Sequence, residues 1–381
     1  MSRNNWRITL CSLTVVVFAL TGCLTFKTND EAPRNSLSEN KATVEPIQEY
    51  TPKDRLEFIQ TIRKNKDSGQ ALYEVYRDLT VIDIHNHDAW DPKAVNKWAQ
   101  YGIDRIVLFG NISEPRAQTS DQLAWDHYRK DPAHVYPSFA GFPIYEEEGV
   151  AIVRDKLEQG YLNIGEIAAA STYSPVVSGL KWKAKHPNDG YFPQIYELAA
   201  NYRVPILLHI DPPNGLPIKY LKEALEQNPD TIFIFAHANA FNTPENIKLL
   251  LENHPNLYID FFAGFTAYNK DSGNQLQDFV PLMEQYPDRF MVSTDSGYGL
   301  TVEQAALAIY ETIDLLSPET ALKVAYQNYE RFIELQPPTD TQIAKIEELS
   351  GQLGINETYR LNKRMANELI FELERNLKEG E

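Results

Sequence analysis

A (β/α)8 barrel, an α/β fold of the TIM type, is the architecture this sequence predicts, and three observations predict it. Eight short apolar runs of strand length alternate with segments of helical periodicity. Once a polar N-terminal stretch is set aside, about 330 residues remain, enough for one large domain. Several runs also end in a histidine, aspartate or glutamate, which is costly on a buried strand unless something binds it. A doubly wound open sheet would scatter those polar positions along an edge, whereas a barrel gathers strand ends at one mouth.

The chain opens with Arg3 and Arg7 ahead of an apolar stretch over 8–20, too short to span a bilayer as a stable anchor. The stretch closes on Leu20-Thr21-Gly22-Cys23, which resembles a bacterial lipobox. That resemblance implies a signal peptide over 1–22 and a lipid on Cys23. It places the protein in the cell envelope, on the periplasmic face of the outer membrane in a Gram-negative cell, because Leu24 rather than Asp follows the cysteine. Cys11 would leave with the signal, so neither thiolate catalysis nor a cysteine zinc site is expected. Residues 23–52 are polar and hold Pro33, Pro46 and Pro52. They read as a tether with a reach of roughly 30 Å. The formal charge is −17, and losing Arg3 and Arg7 takes it to −19. Such a surface repels nucleic acid and anionic lipid, so no nucleic-acid partner is expected and the acyl group must hold the membrane.

The barrel is expected over 53–337. Its predicted strands are 79–85, 104–109, 135–141, 162–167, 204–209, 231–237, 257–260 and 290–295. Helical patterns lie between them, for example over 192–202, 244–252 and 302–315. Thr243-Pro244-Glu245 is a helix-start signal, with proline at the first helical position. Beyond Pro337-Pro338 come two apolar stripes, Ile343, Ile346, Leu349 and Leu353, then Leu361, Met365, Leu369, Leu373 and Leu377. Residues 338–381 are therefore expected to form amphipathic helices packed on the barrel or on a second copy of the chain.

Six residues define the predicted chemistry. His85 and His87 are two apart on an extended chain, so both side chains project to one side and can bind one ion. Asp295 can reach that ion because a barrel closes strand eight on strand one. His209 and His237, ending adjacent strands, can hold a second ion, and Glu166 lies on the fourth strand. Imidazole and carboxylate ligands suit zinc first, with manganese, iron, cobalt or nickel as alternatives, one or two ions per chain.

This pattern resembles the amidohydrolase superfamily of metal-dependent hydrolases, and within it the amidohydrolase-related group that also contains decarboxylases. The resemblance covers roughly residues 79–335. It includes His254-Pro255-Asn256-Leu257-Tyr258, Asp288-Arg289-Phe290 and Asn328-Tyr329-Glu330-Arg331-Phe332. It implies that Glu166 bridges two ions, the role its position has in TatD-type deoxyribonucleases, whereas mononuclear members carry no ligand on this strand. It also implies that Asp295 takes a proton from the attacking hydroxide's parent water and returns it to the leaving group. The expected reaction is hydrolysis of an ester, lactone, amide or phosphoester of a small molecule.

The loops at the strand ends hold Trp90, Asn111, Asn239, Phe265 and Tyr298, with His186 in the loop after strand four. These are the candidate substrate contacts, and their aromatic, uncharged character suits a neutral or cyclic molecule. Lys181, Lys183 and Lys185 could receive a carboxylate instead. His127, His134 and His254 read as surface residues. Non-hydrolytic decarboxylation of an aromatic acid, a TatD-like nuclease and a non-catalytic binding lipoprotein are the competing readings. The net charge counts against the nuclease, and the complete ligand set against the binding protein.

Overall fold

The computed structural model of the chain describes residues 52–67, 69–355 and 360–379. Cys23, the lipobox and almost all of the tether lie outside the described residues. No described helix is long and apolar enough to cross a membrane.

Eight parallel strands form one sheet in the order β1 to β8. They are β1 (Ile82–Asn86), β2 (Arg105–Leu108), β3 (Val135–Phe139), β4 (Asn163–Ala170), β5 (Ile206–Ile210), β6 (Phe233–Phe235), β7 (Leu257–Phe262) and β8 (Phe290–Ser293). Helices alternate with them, so this is the predicted TIM barrel. Nearly every strand residue is buried, because the barrel interior and the outer helices cover both faces. Helix Pro244–Asn253 shows how each helix is set. Thr243 caps its first turn by accepting from the Asn246 N–H, and Ile247, Leu250 and Leu251 face the core.

Four strands, β2, β3, β6 and β8, stop earlier than the apolar pattern suggests, and two of them do so at a candidate ligand. His237 and Asp295 lie just past β6 and β8, at φ of 33° and 45°. Left-handed backbone ends a ladder, and non-glycine residues adopt it rarely. At both positions it falls on a side chain at the barrel mouth.

The seam between β8 and β1 is fastened by a buried carboxylate. Asp83 accepts the Thr294 N–H at 2.9 Å, the Thr294 hydroxyl at 2.5 Å and the Asn86 amide at 2.9 Å. The same carboxylate receives the His85 N–H at 3.2 Å, so it sits between the strand of His85 and the turn of Asp295. At the other end of the barrel, Arg289 Nε donates to the Leu257 carbonyl at 2.7 Å. Asn328 holds the Pro287 and Phe290 carbonyls at 2.8 Å.

The two C-terminal helices span Asp340–Leu353 and Lys363–Glu379. Ile346 and Leu349 pack against Leu369 and Leu373, as the stripes predict, but Ile343 is exposed and Leu361 precedes the second helix. The pair docks on the barrel. Phe371 lies against Trp125 and Tyr128, and Asn367 donates to the Gly160 carbonyl at 2.9 Å. Gly160 has φ of 108°, and a Cβ there would sit 2.3 Å from Asn367 Oδ1.

Candidate metal centre

All six predicted ligands meet at the C-terminal mouth of the barrel. His85 is next to last in β1 and His87 comes just after the strand, with their Nε2 atoms 2.9 Å apart. Asp295 Oδ1 lies 3.9 Å from the first and 3.7 Å from the second. His209 Nδ1 and His237 Nε2 are 3.0 Å apart across β5 and the end of β6. Glu166 stands between the two histidine pairs. Its Oε1 is 2.9 Å from His209 and 3.0 Å from His237, and its Oε2 is 3.5 Å from His85 and 3.2 Å from His87. Each oxygen of one carboxylate thus serves one pair of imidazoles. Two trios result, His85, His87 and Asp295, and Glu166, His209 and His237, each with its ligand atoms within 4.8 Å of one another.

The residues fit a cation, and the tautomers give the reason. His85 Nδ1 donates to Asp260 Oδ2 at 2.7 Å, and His87 Nδ1 donates to the Gly110 carbonyl at 2.7 Å. Both neutral rings must therefore present bare Nε2 lone pairs, pointed at each other and at two carboxylates. That arrangement repels itself unless positive charge sits in it. The titration behaviour shows the same demand for positive charge, which a proton on His85 can meet where no metal ion does. Burial opposes a charge on His85, yet Glu166 and Asp260 hold its pKa well above the ordinary value. Burial would raise the Glu166 carboxyl, but the His85 charge and the hydrogen bonds of His209, His237 and His85 hold it well below the carboxylate range. His209 is pushed up to about 9, because hydrogen bonds to Asp211 and Glu166 outweigh its burial.

Gly165 explains how a charged side chain enters from the middle of β4. Its φ is 132°, and a Cβ would lie 2.6 Å from the Leu207 carbonyl oxygen of β5. Only glycine allows that close approach.

Three supporting carboxylates have no counterpart among the residues expected from sequence. Asp83 fastens the seam. Asp260, fully buried in β7, accepts from His85 Nδ1 and from the His237 backbone N–H at 2.9 Å. Asp211, also fully buried, accepts the N–H groups of Thr172 at 2.8 Å, Tyr173 at 3.1 Å and Ser174 at 2.9 Å. It also receives the Ser171 hydroxyl, and His209 Nε2 lies 3.5 Å away. One signal could have found them: Asp83, Asp211 and Asp260 each interrupt or follow an apolar strand run, as the metal ligands do.

The mouth opens into a cavity of about 580 Å³. Of the candidate substrate contacts, Asn111, Phe265 and Tyr298 line it. Trp90 is outside the lining and donates to Asn111 Oδ1 at 2.7 Å. Asn239 is spent on β7, bonding the Phe262 carbonyl and N–H, and His186 stacks on Tyr220 at 3.7 Å. Neither of these lines the cavity. Lys181, Lys183 and Lys185 do not line it either, and Lys183 donates to the Ser171 carbonyl at 3.0 Å. The loop 173–177, pinned by Asp211, forms one wall, a part of the site that no sequence motif announces.

No protein-family model matches this sequence. No curated protein matches it either. Solved structures match by shape. An uncharacterised TIM-barrel protein from Bordetella bronchiseptica superposes with a TM-score of 0.50 at 17% identity, covering 67% of this chain and 98% of that one. A TatD homologue from Escherichia coli gives 0.47 at 15% identity over 66% of this chain and 96% of its own. A 2,6-dihydroxybenzoate decarboxylase gives 0.45 at 13% identity, covering 67% and 98%. At such identities the shared property is the barrel.

Proposed function

We propose that this chain is a metal-dependent hydrolase of the amidohydrolase superfamily, acting on an ester, lactone or amide of a small molecule from a lipid-anchored position in the cell envelope. One observation carries the reading: two histidines with both δ nitrogens donating elsewhere aim bare Nε2 atoms at one point, and Glu166 joins that point to a second imidazole pair. His85, His87 and Asp295 would hold one divalent ion, and His209 and His237 a second, with Glu166 shared. Divalent ions held there would lower the pKa of water and polarise the substrate oxygen.

The chain's own residues supply the rest. Asp260 and the Gly110 carbonyl hold the Nδ1 protons of His85 and His87, so that each ring in its neutral form offers Nε2 as the ligand atom. Asp295 retains some exposure at the mouth, with 19% of its side chain accessible, so its second oxygen can take a proton from water and return it to the leaving group. Apolar walls exclude bulk water and receive the body of the substrate. Decarboxylation of an aromatic acid, which one ion would serve, is the weaker reading, since Glu166 faces both imidazole pairs.

The test is metal content, then turnover. The purified protein should carry up to two divalent ions per chain and hydrolyse a member of a lactone, ester and amide panel. Loss of carbon dioxide from an aromatic acid, with no hydrolysis of the panel, would sink the proposal.

A further inference from the structure

Among the described residues, the cavity has one charged side chain besides the predicted metal ligands, Glu114. Its carboxylate takes one hydrogen bond, from a residue that is itself fixed. Asn111 Nδ2 donates to Glu114 Oε1 at 2.7 Å, and Asn111 is itself held by Trp90 Nε1 and, through its N–H, by Ser120 Oγ at 2.8 Å. The preceding residue, Ser113, is buried at φ of 42°. Its Oγ accepts the Ala168 N–H at 2.8 Å and its carbonyl accepts the Trp182 N–H at 2.9 Å, which ties this turn to β4. The Glu114 carboxylate is therefore presented by a fixed turn. No cation pairs with it among the described residues, since the nearby Arg116 guanidinium lies over the Trp90 ring at 4.7 Å.

The rest of the cavity lining is largely apolar and aromatic. Phe241, Phe262 and Phe265 line the cavity, and Tyr173, Val176 and Tyr298 stand at least 60% exposed along it. Aromatic faces attract cations, and a half-buried carboxylate in the same cavity favours a donor that carries positive charge. An anionic group entering beside Glu114 would meet its carboxylate with no lysine or arginine in the lining, among the described residues, to offset it, whereas the charges of Glu166 and Asp295 belong to the candidate metal centre.

We infer that the substrate is cationic: an ester or amide with an apolar body and a protonated amine, the amine bound by Glu114. The inference rests on the hydrolase reading only for the place where the reacting bond lies. Glu114 acts as a specificity residue, and the preference it imposes is readable in binding without turnover.

The probes are 2-phenylethylammonium and 2-phenylethanol, titrated by calorimetry at low ionic strength into the metal-loaded protein and into Glu114→Gln. A hydrogen bond to a charged group corresponds to about tenfold or more in affinity. The ammonium should therefore bind the wild type at least about tenfold more tightly than the alcohol. In Glu114→Gln that ratio should collapse towards one, and in Glu114→Lys it should invert, which guards against a variant that merely misfolds. Equal binding of the two probes to the wild type, or an undiminished ratio in Glu114→Gln, overturns the inference. Failure to hydrolyse any ester while the ratio behaves as expected would sink the hydrolase reading and leave the cation preference established.

Discussion

Asp260→Asn removes one charge from a position no solvent reaches, and the donors around that carboxylate determine the cost. Asp260 Oδ2 accepts two donors, His85 Nδ1 at 2.7 Å and the His237 N–H at 2.9 Å, while its Oδ1 is buried without a hydrogen-bond partner among the described residues. An asparagine has two ways to fit. With its oxygen towards both donors, its amide nitrogen takes the unpartnered position and is buried with no acceptor, a penalty of about 1–3 kcal/mol. With the amide reversed, its N–H faces the His237 N–H and the lone pair that His85 must then turn towards it forces the proton onto Nε2. A protonated Nε2 cannot ligate.

Either way the ion held by His85, His87 and Asp295 should weaken. Loss of a group that orients a metal-bound histidine typically lowers affinity 10–100-fold, which is about 1.4–2.7 kcal/mol at 1.36 kcal/mol per factor of ten. Competition against a chelator of known affinity measures this directly. Thermal unfolding of metal-free protein measures the burial penalty separately. The loss should fall on one of two ions, because Asp260 bonds one ligand ring and only the backbone of another. Affinity within about twofold of wild type for both ions would refute the argument that Asp260 sets the tautomer of His85.

Other perturbations separate the remaining roles. Asp295→Asn should keep metal within about twofold of wild type and lower hydrolysis by at least about a hundredfold. Asparagine also tolerates the φ of 45° at this position, so full turnover with metal bound would dismiss Asp295 as the proton carrier. Glu166→Gln should reduce metal towards one ion per chain, by elemental analysis, because one carboxylate faces both histidine pairs. Cys23→Ser should abolish fatty-acid labelling and partitioning into detergent, and labelling that persists would remove the lipid anchor. Lys363 is buried and its pKa is pushed down to about 7 by that burial. The unfolded chain therefore binds a proton that the folded chain lacks between about pH 7 and 10.4, so stability rises with pH across that window and is lost again as pH falls towards 7. Lys363→Met should stabilise most below pH 7, and its advantage over wild type should shrink by up to about 1.4 kcal/mol per pH unit above it. A denaturation midpoint difference flat from pH 6 to 10 would show that the amine is not buried uncharged.

What could be read from the sequence, and what could not, divides along a physical line. Apolar runs and helical stripes report burial, and burial is set locally by periodicity. The helices Phe192–Tyr202 and Val302–Leu315 accordingly have the bounds expected of them, and all eight strands lie where apolar runs occur. The strand ends moved because they depend on backbone dihedrals. The left-handed φ of His237 and Asp295 leaves no trace in composition, since neither is glycine or asparagine. The ligand cluster was legible because each member breaks an apolar run at a similar place. Trp90, Asn239 and His186 were misplaced as cavity contacts for the opposite reason: loops carry no periodicity, and a polar or aromatic residue in one has many partners to choose from.

The buried aspartates show how far the same logic extends. A carboxylate on an apolar strand must be satisfied by something, and the alternatives are a cation, a proton or a set of N–H and O–H donors. Asp83 and Asp211 each take several donors, three or more around a single carboxylate. Asp260 takes a ring nitrogen and a backbone amide. Glu166 meets only imidazole nitrogens, two of which have their protons committed elsewhere. The four are indistinguishable in sequence, since each stands on or beside an apolar run. They differ in the donors that the fold brings to them, and that difference separates the carboxylate at the centre of the ligand cluster from those that shape its surroundings. Asp83 then joins the strand of His85 to the turn of Asp295, Asp260 joins His85 to the backbone of His237, and Asp211 joins the neighbourhood of His209 to the cavity wall. The candidate ligands, on or just past five strands, are thus held to one another by carboxylates outside the two trios, so a substitution at any of the three should be felt at the candidate metal centre before it is felt in the barrel.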